Sequence, residues 1–324
     1  MKKYLILILI FNSLFAYSQQ SHFCGHFEME QKYVQQDASI KIKRDELETF
    51  TSEYTENYFS RLQPKQMNSD TILFVIPVVF HVMHNYGPEN ISKAQIVDAM
   101  QIINEDYQRL NADTAQIISL FLPIVGDVQV EFRLAQLDPN GNCTDGITRH
   151  QTLLTYGGDE LLKTIVQWPP DKYLNVWVES YIGLGNFAAY AYLPGALPIQ
   201  DGIVFDHRFL GTIGTSDQTN AHILSHEIGH YFNLEHTWGP TNFPGDTANC
   251  NFDDGVFDTP NTIGATVCDT TMLSCSPGVI ANVQNMMEYS WCLHMFTQGQ
   301  VARMQAALNS NISNRSNLWT QANL

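Results

Sequence analysis

Three histidines in one short segment constrain this chain more than any other feature of its sequence. His226 and His230 are four residues apart, so on a helix both imidazoles project from the same face and can share one zinc ion. Glu227 follows the first of them and can reach a water on that ion without binding the metal itself. This spacing predicts a helix that carries two zinc ligands and a general base.

His236 is the third candidate ligand, and it lies beyond the point where such a helix must end. A continuous helix would carry it out of reach, so the chain has to turn back. Asn233 stands at the reversal, where a left-handed residue is needed and asparagine is tolerated next after glycine. Three histidines and one water then give an open tetrahedral site, as catalysis requires.

Two other interpretations of this segment remain open. In one, a downstream carboxylate is the third ligand of a zinc peptidase and His236 is incidental. In the other, the chain is a non-catalytic secreted binding protein that keeps zinc for structure. The intact Glu227 favours an enzyme, because a structural site needs no base beside an open position. His222 is expected to support the site or to be exposed rather than to bind metal, and no role is assigned to His81, His84 or His294.

The first residues indicate export. Two lysines precede an apolar run over residues 4–11, and Ala16 and Ser18 are small residues at the positions that a signal peptidase reads. Residues 1–18 are therefore predicted to be a secretory signal peptide, which places the protein outside the cell. A short membrane anchor is the alternative, but the run is shorter than the roughly 20 residues that span a bilayer, and no later segment is apolar enough to cross one.

Composition excludes several other classes of function. The 324 residues carry a formal charge of −16, so the clustered lysine and arginine that neutralise nucleic-acid phosphates are missing. No basic amphipathic stretch suggests a membrane surface. Hydrophobic residues make up 44% of the chain, which is enough for a buried core. The expected partners are protein or peptide substrates, and the sequence does not determine an oligomeric state.

The chain divides into a polar N-terminal part and a larger globular part. Residues 19–65 are polar with weak helical patterning and are predicted to be a propeptide, with a plain helical extension as the alternative. Residues 66–324 are predicted to be the catalytic domain. Its upper subdomain runs to about residue 236, and its lower subdomain covers 237–324.

The globular part has a mixed α/β pattern. A buried strand is predicted over residues 72–80, where Pro77 implies an edge or a bulge. Ser92 and Gln95 form a capping box that opens a helix. The other predicted elements are strands at 128–134, 174–179 and 202–205, a loop at 183–195, the helix that carries His226, and a last helix at 297–308.

Export also changes the interpretation of the six cysteines, because disulfides persist in an oxidising compartment. Four of them cluster in the last third of the chain and suggest two bridges, with three possible pairings. Cys24 stands apart, just after the signal peptide. A thiolate there could take the place of the water on zinc and block catalysis, or Cys24 could form a disulfide with Cys143, the other isolated cysteine.

At this point the sequence resembles a known family. The segment from His226 to His236 is similar to the metzincin signature HExxHxxGxxH, with Asn233 in place of the usual glycine. Asn285 to Tyr289 is similar to the methionine turn of pappalysin-like peptidases, typically N-x-M-[DE]-Y. Further similar stretches at 76–84, 87–111, 201–205, 254–260 and 295–304 extend the resemblance to the pappalysin-like metzincins, peptidase family M43, over most of residues 72–324.

The resemblance implies an α/β (α+β) zincin fold of the metzincin type. A twisted mixed sheet and an active-site helix would lie above, and an irregular, disulfide-tied lower subdomain with a C-terminal helix would lie below. Substrate would occupy the cleft between them. The implied site residues are the zinc ligands His226, His230 and His236, the base Glu227, the oxyanion-stabilising Tyr289, the turn methionine Met287, the latency cysteine Cys24, the disulfides Cys250–Cys275 and Cys268–Cys292, and the calcium ligands Asp254 and Thr259.

The resemblance also implies an activating cut and shows one departure. Arg61 is a plausible place for the cut, and Lys65 or a foreign protease would serve equally well. Relatives that cleave before arginine have an acidic residue between the methionine turn and the next cysteine, whereas none lies between Tyr289 and Cys292. The arginine preference is therefore not transferred, and Trp291 is expected to shape the pocket instead.

Overall fold

A computed structural model describes residues 23–34, 37–61, 73–183 and 187–323. The predicted signal peptide, Lys65 and the start of the strand predicted at 72–80 lie outside these ranges. Within the described ranges, no helix combines the length and the apolar character needed to span a bilayer. Residues 23–61, as far as they are described, form the N-terminal segment. Residues 73–236 form the upper region, and residues 237–323 form the lower region.

Seven strands form one mixed sheet. They are β1 (Phe23–Cys24), β2 (Phe74–His84), β3 (Val130–Leu134), β4 (Ile147–Gln151), β5 (Leu174–Glu179), β6 (Phe187–Ala191) and β7 (Ile203–Asp206). Their order is β1-β6-β7-β5-β2-β3, and β4 pairs with β2 beyond the end of β3. All neighbours are parallel except β6 and β7, which are antiparallel.

The strand β2 lies in the interior of the sheet, so the prediction that Pro77 marks an edge or a bulge is wrong. On one side β2 pairs with β3 from Phe74 to Val78, and on the other side it pairs with β5 from Val78 onward. The amide of Phe74 points to the β3 side, where it donates to Gln129. Amides alternate along a strand, so the missing N–H of Pro77 falls on the β5 side, one residue before that pairing begins.

A strand also lies inside the segment predicted to be a loop at 183–195. β6 is buried except at its first residue, but its alanines give little of the apolar signal on which strand prediction depends. It is the edge strand of the upper region, and β1 of the N-terminal segment covers that edge. The amide of Gly25 continues the ladder by donating to Ala189 O at 2.7 Å. β4 was likewise not predicted, because it is polar and only half-buried.

The helices are α1 (His26–Met29), α2 (Ala38–Arg61), α3 (Lys93–Tyr107), α4 (Glu160–Lys163), α5 (Ile223–Tyr231) and α6 (Gln298–Asn309). Ser92 caps α3 as predicted by accepting the Gln95 amide at 3.2 Å. The predicted capping box is incomplete, however, because the Gln95 side chain donates instead to the carbonyls of His207 and Leu210. It thereby ties α3 to the loop that follows β7.

The sheet is covered on both faces. The main core joins one face to α3, α5 and α6, and it includes Ile96, Met100, Ile103 and Tyr107 of the predicted buried face of α3. A second core contains Trp177, Tyr190 and Tyr192, and it includes Met29 and Ile40 of the N-terminal segment. Helix α2 packs along α6. The N-terminal segment is therefore part of the folded structure.

The lower region is irregular up to α6. Residues 237–297 contain one short 3₁₀ turn, Thr247–Asn251, but no α-helix or named strand. Two disulfides, Cys250–Cys275 and Cys268–Cys292, cross-link this part of the chain. The upper and lower regions meet where α5 ends, which is where the histidines predicted to bind metal lie.

Candidate metal centre and cleft

His226 and His230 lie one turn apart on α5, with both rings buried. Their Nδ1 atoms are 2.8 Å from Met286 O and 2.7 Å from Leu234 O. A carbonyl only accepts, so each Nδ1 carries the hydrogen and each Nε2 keeps a lone pair. Burial lowers the pKa of His226 to about 4, which keeps this imidazole neutral. Neutral imidazoles with a fixed tautomer are the form that binds a metal.

Asn233 makes the turn that brings the third histidine back. Its φ of 78° is left-handed, and the amide of Leu234 closes the helix end on Gly229 O at 2.9 Å. His236 then lies against the α5 pair, 4.7 Å from His230 between ring centroids. The ring of Trp238 stacks on its other side at 4.4 Å.

Four potential ligands converge at this point. One donor atom from each of Cys24, His226, His230 and His236 lies within 4.8 Å of the others, and all four residues are buried. Among the described residues, no protein group pairs with the Nε2 atom of any of the three histidines. Orphaned buried nitrogens are costly unless they serve a ligand. Three imidazoles and a thiol form a donor set that suits a tetrahedral Zn²⁺ ion.

Cys24 reaches this position because β1 is anchored on β6. The cysteine is not in a disulfide, and neither is the exposed Cys143, so the alternative Cys24–Cys143 bridge is absent. Burial, followed by the nearby Glu227 carboxyl, raises the pKa of the Cys24 thiol well above its usual value. A metal cation has the opposite effect on a thiol. His26 also holds this segment in place. Its ring stacks on His230 with 4.3 Å between the centroids, and its Nδ1 atom lies 2.8 Å from Ala191 O.

Glu227 lies beside the first candidate ligand and is fully buried. Burial raises the pKa of its carboxyl to about 8, although Cys24 and the backbone of Ala191 act in the other direction. Met287 lies beneath α5, where a Cβ on Gly229 would overlap its Sδ atom. The glycine between the two α5 histidines therefore lets the methionine turn pack directly against the helix.

Tyr289 stands on the lower side of the same centre. Its ring is 5.0 Å from His236 and 5.7 Å from His226 between centroids. Its hydroxyl donates to Asn242 Oδ1 in a very short contact, and Cys24 O lies 3.3 Å away. Asn242 is a site residue that the sequence analysis missed, since nothing in its sequence context distinguishes it from other loop asparagines.

A partly buried ionic network adjoins the centre, and its two aspartates were missed from the sequence. His222 approaches Asp106 through Nδ1 at 2.9 Å and Asp113 through Nε2 at 3.2 Å, while His294 approaches Asp113 at 2.9 Å. Burial opposes the charge on His222, but the two carboxylates outweigh it and raise its pKa to about 10. His222 is therefore a charged support of α5 and lies outside the metal cluster, as predicted.

A cleft of about 860 Å³ runs past Cys24 and Glu227 between the two regions. Its upper wall includes His222 and Ile223, and its lower wall includes Trp291, which is 72% exposed. The lower wall therefore presents a large, exposed aromatic ring to the cleft.

The implied calcium ligands and disulfides lie farther along the lower region. Asp254 and Thr259 are brought together, since Thr259 Oγ1 lies 2.8 Å from both carboxylate oxygens of Asp254. Burial raises the pKa of Asp254 to about 8. Both implied disulfide pairings are formed. Arg61 is the last residue of α2.

Comparison with known proteins agrees with this geometry. The family model described as pregnancy-associated plasma protein-A, Peptidase_M43, matches residues 159–309. An extracellular metalloprotease of Arthroderma gypseum is 30% identical over 240 residues, which cover 71% of each chain. One of Arthroderma otae is 25% identical over 267 residues, or 80% of this chain and 86% of the relative.

Two solved structures from Tannerella forsythia are similar as well. Mature mirolysin, in complex with a cleaved peptide, has a TM-score of 0.70 and 32% identity, covering 78% of this chain and 98% of its own. A promirolysin mutant has a TM-score of 0.73 and 28% identity, covering 93% of this chain and 98% of its own. The wider match to promirolysin indicates a propeptide-like N-terminus.

Fold and site together define a metallopeptidase of the metzincin class, which confirms the predicted fold. The chain belongs to the pappalysin family of these enzymes, peptidase family M43. The relatives named as extracellular confirm the predicted location outside the cell.

Proposed function

We propose that this chain is a secreted zinc-dependent endopeptidase that is synthesised in a latent form. The observation that carries the proposal is the convergence of Cys24 with three buried histidines. The histidines are the donor set of a catalytic zinc site, and the cysteine occupies the position that an open site keeps for water. The chain is a metallopeptidase by family, and zinc is the metal that this donor set favours.

The proposal assigns a residue to each catalytic step. Zinc held by His226, His230 and His236 would polarise the scissile carbonyl and increase the acidity of a water molecule. Glu227 accepts a proton from the attacking water and passes it to the leaving amine. Tyr289 donates a hydrogen bond to the oxyanion of the tetrahedral intermediate.

Latency would result from the N-terminal segment, which lies in the region predicted to be the propeptide, 19–65. Cys24 would fill the position of the attacking water, and β1 pairs with the edge strand β6 beside the cleft. Glu48 in α2 forms two hydrogen bonds with Arg303 of α6, at 2.8 and 2.5 Å, and accepts a third from Asn233 at 3.3 Å. A cut at Arg61 or Lys65 would separate this segment from the catalytic domain, predicted at 66–324, and allow it to leave.

A structural calcium ion at Asp254 and Thr259 is a further part of the proposal. Carboxylate and hydroxyl oxygens are suitable hard ligands, and a buried carboxylate is stabilised by a cation. Added Ca²⁺ is expected to raise the melting temperature of the parent protein but not that of Asp254→Ala. Equal melting curves with and without Ca²⁺ would remove calcium from the proposal.

The deciding experiment compares the activated enzyme with its Glu227→Ala variant on a mixed peptide library, with zinc measured on both. We expect the parent to cut internal bonds, and the variant to bind zinc without cutting. If both bind zinc and neither cuts, the chain is a non-catalytic zinc protein instead. Undiminished zinc binding by His236→Ala would favour a carboxylate as the third ligand.

Latency is tested on the precursor with a matched pair of cysteine variants. Cys24→Ala is expected to give a precursor that cuts peptides without processing, because the position on the metal is open. Cys143→Ala removes the other free cysteine, which is exposed, and is expected to stay latent. Equal latency of both variants would show that the thiol is not what blocks the site.

A further inference from the structure

Asn242 joins the N-terminal segment to the candidate catalytic tyrosine through both ends of its side-chain amide. Its Nδ2 atom donates to both carboxylate oxygens of Glu28, at 3.0 Å each. Its Oδ1 atom accepts the hydroxyl hydrogen of Tyr289. A carboxylate only accepts hydrogen bonds, so the amide nitrogen has to face Glu28 and the amide oxygen has to face Tyr289. Glu28 therefore fixes the orientation of the amide whose oxygen accepts from Tyr289.

The ring of Tyr289 has little freedom of its own. It packs edge-on against His236 at 5.0 Å and against Trp238 at 4.9 Å between centroids. Rotation about the phenol C–O bond remains, and the neighbouring acceptor sets its direction. Two acceptors lie within reach of that hydrogen, Asn242 Oδ1 in the shorter contact and Cys24 O at 3.3 Å, so the hydrogen needed for an oxyanion is engaged elsewhere.

The loop that holds Asn242 is anchored to the metal site. The preceding residue, Thr241, accepts hydrogen bonds at its carbonyl from His236 Nδ1 at 3.2 Å and from Trp238 Nε1 at 2.8 Å. Asn242 is 4% exposed, and Glu28 accepts from its amide nitrogen. The backbone of this loop is thus held by contacts that do not involve Glu28, whereas the amide orientation depends on Glu28.

We propose that Asn242 positions Tyr289 through an amide switch that Glu28 controls, an inference that rests on the proposed catalytic role of Tyr289. With Glu28 bound, the amide oxygen holds the phenol hydrogen. Without Glu28, the amide makes a half-turn and its nitrogen donates to the phenol oxygen. The phenol hydrogen is then directed away from Asn242 and toward the substrate oxyanion. A phenol oxygen that accepts a hydrogen bond is also a stronger donor, because hydrogen-bond chains polarise their members.

This switch gives the N-terminal segment two independent effects on one centre. Cys24 would occupy the metal, and Glu28 would withdraw the tyrosine hydrogen. The second effect concerns the transition state alone, because a hydrogen bond to the oxyanion forms only there. Variants of Asn242 are therefore expected to change kcat while leaving KM nearly constant.

The first test uses activated enzyme obtained from the full-length chain. Asn242→Leu keeps the volume but cannot donate, and we expect kcat to fall about 10-fold with KM within about twofold. Asn242→Asp presents only acceptors and reproduces the arrangement that Glu28 imposes, so its kcat is expected to fall further than that of Asn242→Leu. In a Tyr289→Phe background, adding Asn242→Leu should not lower kcat any further. A parent that does not cut peptides would defeat the proposed function, whereas a cutting parent with full kcat in Asn242→Leu would defeat the switch alone.

The second test needs neither activity nor metal. In the metal-free Glu227→Ala precursor, the ¹³Cζ resonance of Tyr289 reports on the hydrogen bonds of its hydroxyl. Glu28→Leu, which leaves no oxygen to accept from Asn242, is expected to move this resonance in the parent but not in Asn242→Leu, because the effect passes through the amide. The control Asp45→Asn, which removes an exposed carboxylate of α2 that pairs with Lys41, is expected to leave it unchanged. An unmoved resonance for Glu28→Leu in the parent, or a shift of equal size in both backgrounds, would overturn the switch.

Discussion

The upper and lower regions hold the two sides of one metal centre by different physical means. The upper region supplies His226 and His230 from a helix that packs on a sheet whose strands β2 and β5 are buried throughout. The lower region supplies Tyr289, and the Trp238 ring that stacks on His236, from a chain that has no regular element between residues 237 and 297 except one 3₁₀ turn. Two disulfides and buried polar contacts take the place of a sheet there. One such contact is Glu288, which accepts from Thr237 at 2.5 Å and from the Ala265 amide at 2.7 Å.

The difference shows where each region is vulnerable. A sheet core loses stability when apolar volume is removed, because interiors are close-packed and a cavity remains. An irregular segment with few apolar contacts depends on its cross-links, which restrict the unfolded chain. The site needs both regions, so damage to either should reach the metal, but by different routes. The three predictions below test this in the Glu227→Ala background, which prevents self-digestion.

The largest effect is expected in the upper region. Phe80 is fully buried in β2, and Phe80→Ala should lower the free energy of unfolding by about 3–5 kcal/mol. The loss should be global, with one unfolding transition seen by both far-ultraviolet circular dichroism and tryptophan fluorescence. Leu73→Ala, at a half-exposed position one residue before the strand, is the matched control and should cost far less. A cost below about 1 kcal/mol for Phe80→Ala would contradict the assignment of β2 to the core.

The next effect is expected from the lower region. Replacing Cys268 and Cys292 with alanine should cost about 2–4 kcal/mol. The loss should be local, so hydrogen exchange should speed up between residues 237 and 297 while β2 and β5 stay protected. Cys143→Ala, at an exposed free cysteine, should change neither quantity. Uniform loss of protection across both regions would show that they unfold as one cooperative unit, and would contradict the claim that the lower region can lose stability by itself.

The smallest effect is expected where the two regions meet at Asp113. This carboxylate accepts from His222 beside α5 and from His294 after the methionine turn. Burial would raise the pKa of Asp113, but the hydrogen bonds from the two histidines outweigh it and hold the pKa well below the ordinary value. Asp113→Asn is expected to cost about 2 kcal/mol near pH 6, as for a hydrogen bond to a charged group.

The cost of Asp113→Asn should also depend on pH in a defined direction. His222 has a folded pKa of about 10, above its unfolded value of about 6.5. Its contribution is therefore complete below about pH 6.5 and is lost as the pH rises through 10. The difference in unfolding free energy between parent and Asp113→Asn should shrink from pH 6 to pH 10. A difference that stays constant over this range would mean that His222 is neutral in the folded protein.

Sequence patterns predicted most of the regular elements and the part of the site that is formed by residues close together in the chain. The predicted strand at 174–179 has the same bounds in the structure, and Asn233 adopts the left-handed turn that the spacing of the histidines requires. These features succeed because the decisive residues are near neighbours in the chain. The strand β6 was missed because its alanines show no alternation of polar and apolar residues. Its partner β1 has only two residues and shows no alternation either.

Contacts between distant parts of the chain could not be predicted from one sequence. Asp113 is 109 residues from His222 and 181 from His294, and Glu28 is 214 residues from Asn242. Pro77 was misjudged for the same reason, since its tolerance depends on where the pairing with β5 begins. In each case the meaning of a residue comes from a partner that only the folded chain supplies.

Helix α2 separates the two ends of the N-terminal segment in space. Its 24 residues span about 36 Å between the end nearer Cys24 and Arg61. A protease that cuts at Arg61 therefore acts one helix length from the residues that lead back to Cys24, and the cut does not itself empty the cleft. Loss of latency would then be a unimolecular step that follows the cut, with a half-life that more activating protease does not shorten.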